Sequence, residues 1–104
     1  MEKKPTAPQA LATRVLEGDG RASRAERRAA FDNTTPTEPL RGLISKVANH
    51  PTRITEDDIA AVKASGLSED QIFELVVCAA VGQAMRQYQN AIAALAVAIR
   101  GERA

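Results

Sequence analysis

EDQIFELVVCAAVGQAMRQYQNAIAALAVAIR, residues 69–100, holds no proline and a single glycine, Gly82. Ser68 with Gln71 supplies a start signal in front of it, a short oxygen side chain followed three residues later by an amide. Alanine, leucine, valine and isoleucine fill the stretch at helical spacing. Leu75–Val81 alone would pass for a buried strand, but its helical flanks assign it to one long helix. Unbroken, that helix measures about 48 Å at about 1.5 Å per residue. A globule of 104 residues has a radius of gyration near ~13 Å, hence a diameter of roughly 33 Å. The helix does not fit inside such a globule. Either it breaks near Gly82, or its end projects towards a neighbouring subunit.

The stretches upstream are shorter helices with clear punctuation. Pro5 and Pro8 among polar residues give a flexible arm over residues 1–8, ahead of a single helical domain over 9–104. Leu11 with Val15 and Ala12 with Leu16 pair at i,i+4 and predict a short helix ending near Gly18 and Gly20. Ser23-Arg-Ala-Glu26 is a capping box for a helix reaching about Phe31. Thr35 and Glu38 form a second such box, with Pro36 in the first-turn position. Leu40, Leu43, Ile44, Val47 and Ala48 then make one continuous apolar stripe. His50 to Ile54 reads as a loop around Pro51. Thr55 with Asp58 opens the next helix, Ile59 and Val62 face inward, and Ser65-Gly66 closes it. The fold class is all-α.

Composition narrows the function classes. Cys78 is the only cysteine and His50 the only histidine, so neither an internal disulfide nor a metal site of ordinary spacing is expected. No cofactor motif is present. The net charge is +1, which gathers neither nucleic acid nor anionic lipid. The start lacks the apolar stretch of a signal peptide, and no apolar run approaches the roughly 20 residues that cross a bilayer. A cytoplasmic protein with a reduced thiol is expected. The core is rich in alanine, and the aromatics are Phe31, Phe73 and Tyr88 alone. Alanine brings helices close but buries little area per contact, so a core shared between chains, a homo-oligomer, is expected.

The long helix also carries the candidate chemistry. With Glu74 at zero on a 100° wheel, Cys78, Val81, Met85 and Ile92 lie within about 40° of it. A carboxylate on that apolar stripe beside the only thiol would have a raised pKa and move protons. Alternatively, Glu74 lies near the helix start and reaches solvent or a basic partner. Cys78 has no base within a turn to stabilise a thiolate and also reads as a small buried hydrophobe. On another face Gln83, Arg86, Gln87 and Asn90 form a polar stripe, either lining a pocket for a small anionic ligand or facing solvent. Arg21, Arg24, Arg27 and Arg28 make a basic cluster that reads as a contact for an anion, an acidic partner face or nucleic acid, or as solvated surface. Residues 59–75 have a helix-turn-helix spacing, but Glu69, Asp70 and Glu74 open the second helix, where phosphates would repel them.

ITEDDIAAVKASGLSEDQIFE, residues 54–74, resembles the carboxymuconolactone decarboxylase and alkylhydroperoxidase D-like family: a short helix, a Ser-Gly-Leu-Ser turn, then entry into a long alanine-rich helix. The resemblance extends over about residues 53–97. It implies an alkylhydroperoxidase D-like helical bundle with a long C-terminal helix, assembled as dimers, trimers or hexamers. The family's peroxidase branch uses a Cys-x-x-Cys pair, a following histidine and an upstream glutamate. Aligning Glu74 with that glutamate puts Arg86 and Gln89 at the cysteine positions and Ala93 at the histidine. Cys78 lies two turns too early to replace them. The resemblance therefore implies an oligomer without thiol peroxidase activity, a binding or accessory module. The alternative is a cofactor-free enzyme on a small anionic substrate, with Glu74 as acid or base and Arg86 orienting the anion. Those two side chains lie about 120° apart on the wheel, so one helix alone does not aim both at one ligand.

Overall fold

A computed structural model of the chain describes residues 6–103, and the side chains of 102 and 103 are not described. Five α-helices follow in order: α1 (Ala7–Glu17), α2 (Arg24–Phe31), α3 (Leu40–Asn49), α4 (Glu56–Ala64) and α5 (Glu69–Arg103), with a single 3-10 turn at Pro51–Arg53. No strand occurs among the described residues. None of the described helices is long and apolar enough to cross a membrane.

Local chemistry sets each start. Four helices open with reciprocal caps: Thr6 with Gln9, Ser23 with Glu26, Thr55 with Asp58, and Ser68 with Gln71. In each, the hydroxyl accepts from a free amide while the third residue on accepts from the cap amide. α1 begins at Ala7 with Pro8 in its first turn, so the helix takes the last two residues of the expected arm. Thr6 of that arm is the helix cap, and residues 1–5 lie outside the described residues.

The Thr35–Glu38 box does not form. α3 starts later, at Leu40, with no side-chain cap. Glu38 precedes a cis bond to Pro39, and its carboxylate turns forward to accept from the Gly42 amide at 3.2 Å and pair with Arg41 at 3.0 Å. The Thr35 hydroxyl is buried without a partner.

α5 is the axle of the molecule; α1, α2 and α3 all pack on it. The core joins Leu43, Ile44 and Val47 of α3 and Val62 of α4 to Ile72, Leu75, Cys78 and Ala79 of α5, with Ala22 and Ala30 from around α2. Its largest fully buried side chains are Ile44, Leu75, Val62 and Cys78. No aromatic is among them: Phe73 and Tyr88 are 70% and 53% exposed. Gly66 ends α4 at φ 114, a left-handed conformation that a Cβ would strain.

α5 does not break at Gly82. It runs 35 residues without interruption, and the molecule measures 57 × 35 × 19 Å with a radius of gyration of 16.4 Å. A compact chain of this length would have a radius near ~13 Å; the excess is the C-terminal half of α5, which extends past the other helices. From Gln87 to Arg100 every residue except Ala96 is exposed.

Candidate functional site

Four residues of α5 share one row at i, i+4, i+8 and i+12: Glu74, Cys78, Gly82 and Arg86. Each step along such a row turns about 40° around the helix, so the row winds through the 120° that separates Glu74 from Arg86. α2 lies along it. The Glu74 carboxylate accepts from the Arg21 amide at 2.7 and 2.9 Å and from the Ala22 amide at 2.7 Å, just ahead of the α2 cap Ser23. At the other end Arg86 Nη1 donates to the Phe31 carbonyl at 2.6 Å, while Nη2 donates to Gln83 Oε1 at 2.9 Å. Between them Gly82 lets the Phe31 backbone reach α5; a methyl there would meet the Phe31 carbonyl oxygen at 1.9 Å. α5 thus holds an acid at the N-terminal end of α2 and a base at its C-terminal end, both complementary to the helix dipole.

A second clamp serves α1. Arg27, only 6% exposed, extends Nη1 to the Gly18 carbonyl at 2.5 Å and the Val15 carbonyl at 3.4 Å, at the C-terminal end of α1. The Cys78 thiol donates to the same Val15 carbonyl at 3.3 Å. Arg27 Nε is buried without a partner.

These contacts set the protonation states. Burial raises the Glu74 pKa, but the Ala22 and Arg21 amides and the charges of Arg27 and Arg21 outweigh it and hold the carboxyl below its ordinary value. The raised pKa expected from the apolar stripe is therefore corrected: an ionised carboxylate meeting backbone donors is stabilised. Burial pushes the Cys78 thiol up, against Arg27 and with the help of Glu74. A buried neutral thiol is a poor nucleophile.

Of the expected site residues, Glu74 and Cys78 lie one turn apart, while Glu74 and Arg86 are not brought together. Glu74 and Arg86 face opposite ends of α2, about 18 Å apart along α5. Of the polar stripe, Arg86 and Gln83 are engaged with each other and with α2, while Gln87 and Asn90 are exposed. None of the four lines any groove described below. The basic cluster is split: Arg27 is buried, and Arg28 pairs with Asp32 at 3.0 Å and lies over the Phe31 ring. No group of three metal-ligating side chains occurs among the described residues.

What the surface offers is apolar. A groove of about 490 Å³ between the start of α1 and the middle of α5 is lined by Ala7, Pro8, Leu11, Val81, Met85 and Tyr88, with alanines between. A second, of about 370 Å³, is lined by Ile59, Ile72, Phe73 and Val76, with Lys63 and Glu69 at its edge. A smaller, of about 220 Å³, holds Arg14, Asp19, Arg27 and Glu74 among apolar neighbours. The first groove continues along α5 as an exposed line. Val81, Met85, Tyr88, Ile92, Leu95 and Ile99 follow one another at spacings of 4, 3, 4, 3 and 4, the a and d positions of three heptads. Tyr88, Ile92, Leu95 and Ile99 are between 42% and 56% exposed. The sequence reading picked out Val81, Met85 and Ile92 from this line as part of a catalytic face, and missed the seam as a whole.

No family model, no curated protein and no solved structure matches this chain.

Proposed function

We propose that this chain is a carboxymuconolactone decarboxylase-like protein without thiol peroxidase activity, acting as a binding or accessory module through the distal half of α5. The supporting observation is that half-helix itself: a heptad line of large apolar side chains, about half exposed, carried beyond the body of the molecule. An apolar patch of this continuity marks an association surface. The resemblance over residues 53–97 fits the order of short helix, glycine turn and long helix, with Arg86, Gln89 and Ala93 at the positions where the peroxidase branch carries its redox residues. Cys78 supplies no substitute, since it is buried and its pKa is raised.

The enzymic alternative has less support, because Glu74 and Arg86 are both occupied in seating α2 and the groove that Glu74 lines does not include Arg86. Turnover of an organic hydroperoxide with a dithiol donor tests the reading directly. The expected result is no difference between the wild type and Cys78→Ser. Turnover that disappears in Cys78→Ser would overturn it.

A further inference from the structure

We infer that the occupant of the α5 seam is a second copy of this chain, bound antiparallel, with each α5 tip seated in the other copy's α1–α5 groove. The inference rests on reading the distal half of α5 as an association surface, and it adds the partner and its direction. The spacing 4-3-4-3-4 reads the same from either end, with its midpoint at Asn90. Antiparallel helices pair an a position with a d position. About that midpoint Val81 meets the second copy's Ile99, Met85 its Leu95, and Tyr88 its Ile92. Every large side chain of the seam then has a partner, and none is left over. A seam symmetric about its own midpoint pairs position for position with an inverted copy of itself, as a two-fold interface requires.

Charge allows the pairing. Arg86 is the only charged residue between Val81 and Ile99, and its guanidinium is already held on the Phe31 carbonyl. The seam is flanked by Ala84, Ala91, Ala96, Ala98 and the neutral Gln89. Two identical seams therefore meet without like-charge repulsion, and the small flanking residues let the helices approach closely.

Area decides the direction. The seam is about 27 Å long on a helix about 10 Å wide. Half of that cylinder is roughly 420 Å², about half of the ~800 Å² per partner typical of a stable pair. A parallel pair in register sets Leu95 and Ile99 against the same residues of the second copy, away from the groove. In the antiparallel pair the second copy's Leu95 and Ile99 enter the groove of about 490 Å³, covering Leu11, itself 49% exposed. The heads then lie at opposite ends.

The test combines sedimentation with cross-linking of the full chain. The wild type is expected to show a reversible monomer–dimer equilibrium between about ten and several hundred micromolar. Leu95→Glu should raise the dissociation constant at least about tenfold, since a charge is then placed in an apolar seam. Val97→Glu, on the far side of the same helix, should leave it unchanged. Both positions are exposed in the single chain, so circular dichroism should show both variants folded. For direction, Met85→Cys and Leu95→Cys are oxidised separately and mixed; wild type controls for Cys78. A disulfide formed mainly in the mixture supports the proposal. Disulfides formed equally well by each variant alone indicate a parallel pair and overturn the antiparallel arrangement while leaving association through the seam intact. A chain monomeric throughout the range, or a dimer insensitive to Leu95→Glu, overturns the second copy as occupant. The hydroperoxide assay reads the non-enzymic assignment independently of all these outcomes.

Discussion

Substituting Gly82 by alanine should destabilise this protein, against the usual rule for helices. In an exposed helix interior the change stabilises by about 1 kcal/mol, because alanine loses less backbone entropy. Here the new methyl would lie 1.9 Å from the Phe31 carbonyl oxygen, 2.7 Å from its carbon and 2.9 Å from its Cα. All three are backbone atoms, so no rotamer change relieves the clash. Restoring an ordinary C···O contact of about 3.3 Å requires the end of α2 to retreat by about 1.4 Å. That retreat stretches the 2.6 Å bond from Arg86 out of hydrogen-bonding range. Losing a bond to a charged donor costs about 1.5–3 kcal/mol, and overpacking adds about 1–3 kcal/mol. After the propensity gain the net loss is about 3 kcal/mol. With a urea slope near the middle of the usual range, about 1.5–2 kcal/mol/M, the midpoint should fall by about 1.5–2 M. Gly101, with nothing within 4 Å of a built Cβ, is the control: Gly101→Ala should leave the midpoint unchanged or slightly raised. Both variants are compared at one protein concentration, because the proposed association would add to apparent stability. If Gly82→Ala matched Gly101→Ala, the close seating of α2 on α5 would be wrong.

Glu74→Gln should cost about 2 kcal/mol in chemical denaturation, since the amide loses the charge and turns an N–H towards backbone donors. Because the folded Glu74 pKa is depressed, its contribution is fully present above the ordinary carboxylate pKa and is lost as pH falls through the lower folded value. The acid limb of the wild-type stability curve should accordingly be steeper than that of Glu74→Gln. Thr35→Val should raise the melting temperature, by an amount equivalent to about 1 kcal/mol, because it removes a buried hydroxyl that has no partner; a lowered value would show that the hydroxyl is satisfied. Cys78 should react with a disulfide reagent at neutral pH far more slowly in the native protein than in urea, since the thiol is buried and its pKa raised; equal rates would refute the burial.

Local signals carried most of the fold. The Ser23, Thr55 and Ser68 caps and the α3 stripe are complete within a few residues, so the sequence displays them whole. The Thr35 box failed for a local reason too, since the chain before Leu40 goes to the Glu38 turn instead of a helix start. The roles of Glu74, Arg86 and Arg27 were less legible, because each depends on which backbone end another helix brings to it. The wheel put Glu74 beside Cys78 correctly, but could not show that two amides from residues 21 and 22 would arrive there. The row 74-78-82-86 was nevertheless written in the sequence as an acid, two small residues and a base at four-residue intervals. The seam was partly hidden by the wheel itself. A 3.5-residue period slips about 20° per heptad on a straight helix, so an arc centred on Glu74 kept Ile92 and dropped Leu95.

The same arithmetic bounds how tightly two copies hold. Leu11, Tyr88, Ile92, Leu95 and Ile99 are each about half exposed in the single chain. Covering the remaining half of a large apolar side chain contributes about 1 kcal/mol, and ten such side chains in a pair contribute about 10 kcal/mol. Association costs at least about 4 kcal/mol in lost rigid-body freedom. The difference is therefore at most about 6 kcal/mol, a dissociation constant no tighter than tens of micromolar. The proposed pair, at that strength, would separate on dilution and leave the body built by α1 to α4 on the first half of α5 standing alone. The clamps on α2 and on α1 fix those short helices by charge and backbone hydrogen bonds. Glu74, Arg86 and Arg27 thus tie the short helices together within the single chain, and the exposed apolar residues of the distal half of α5 lie outside that body.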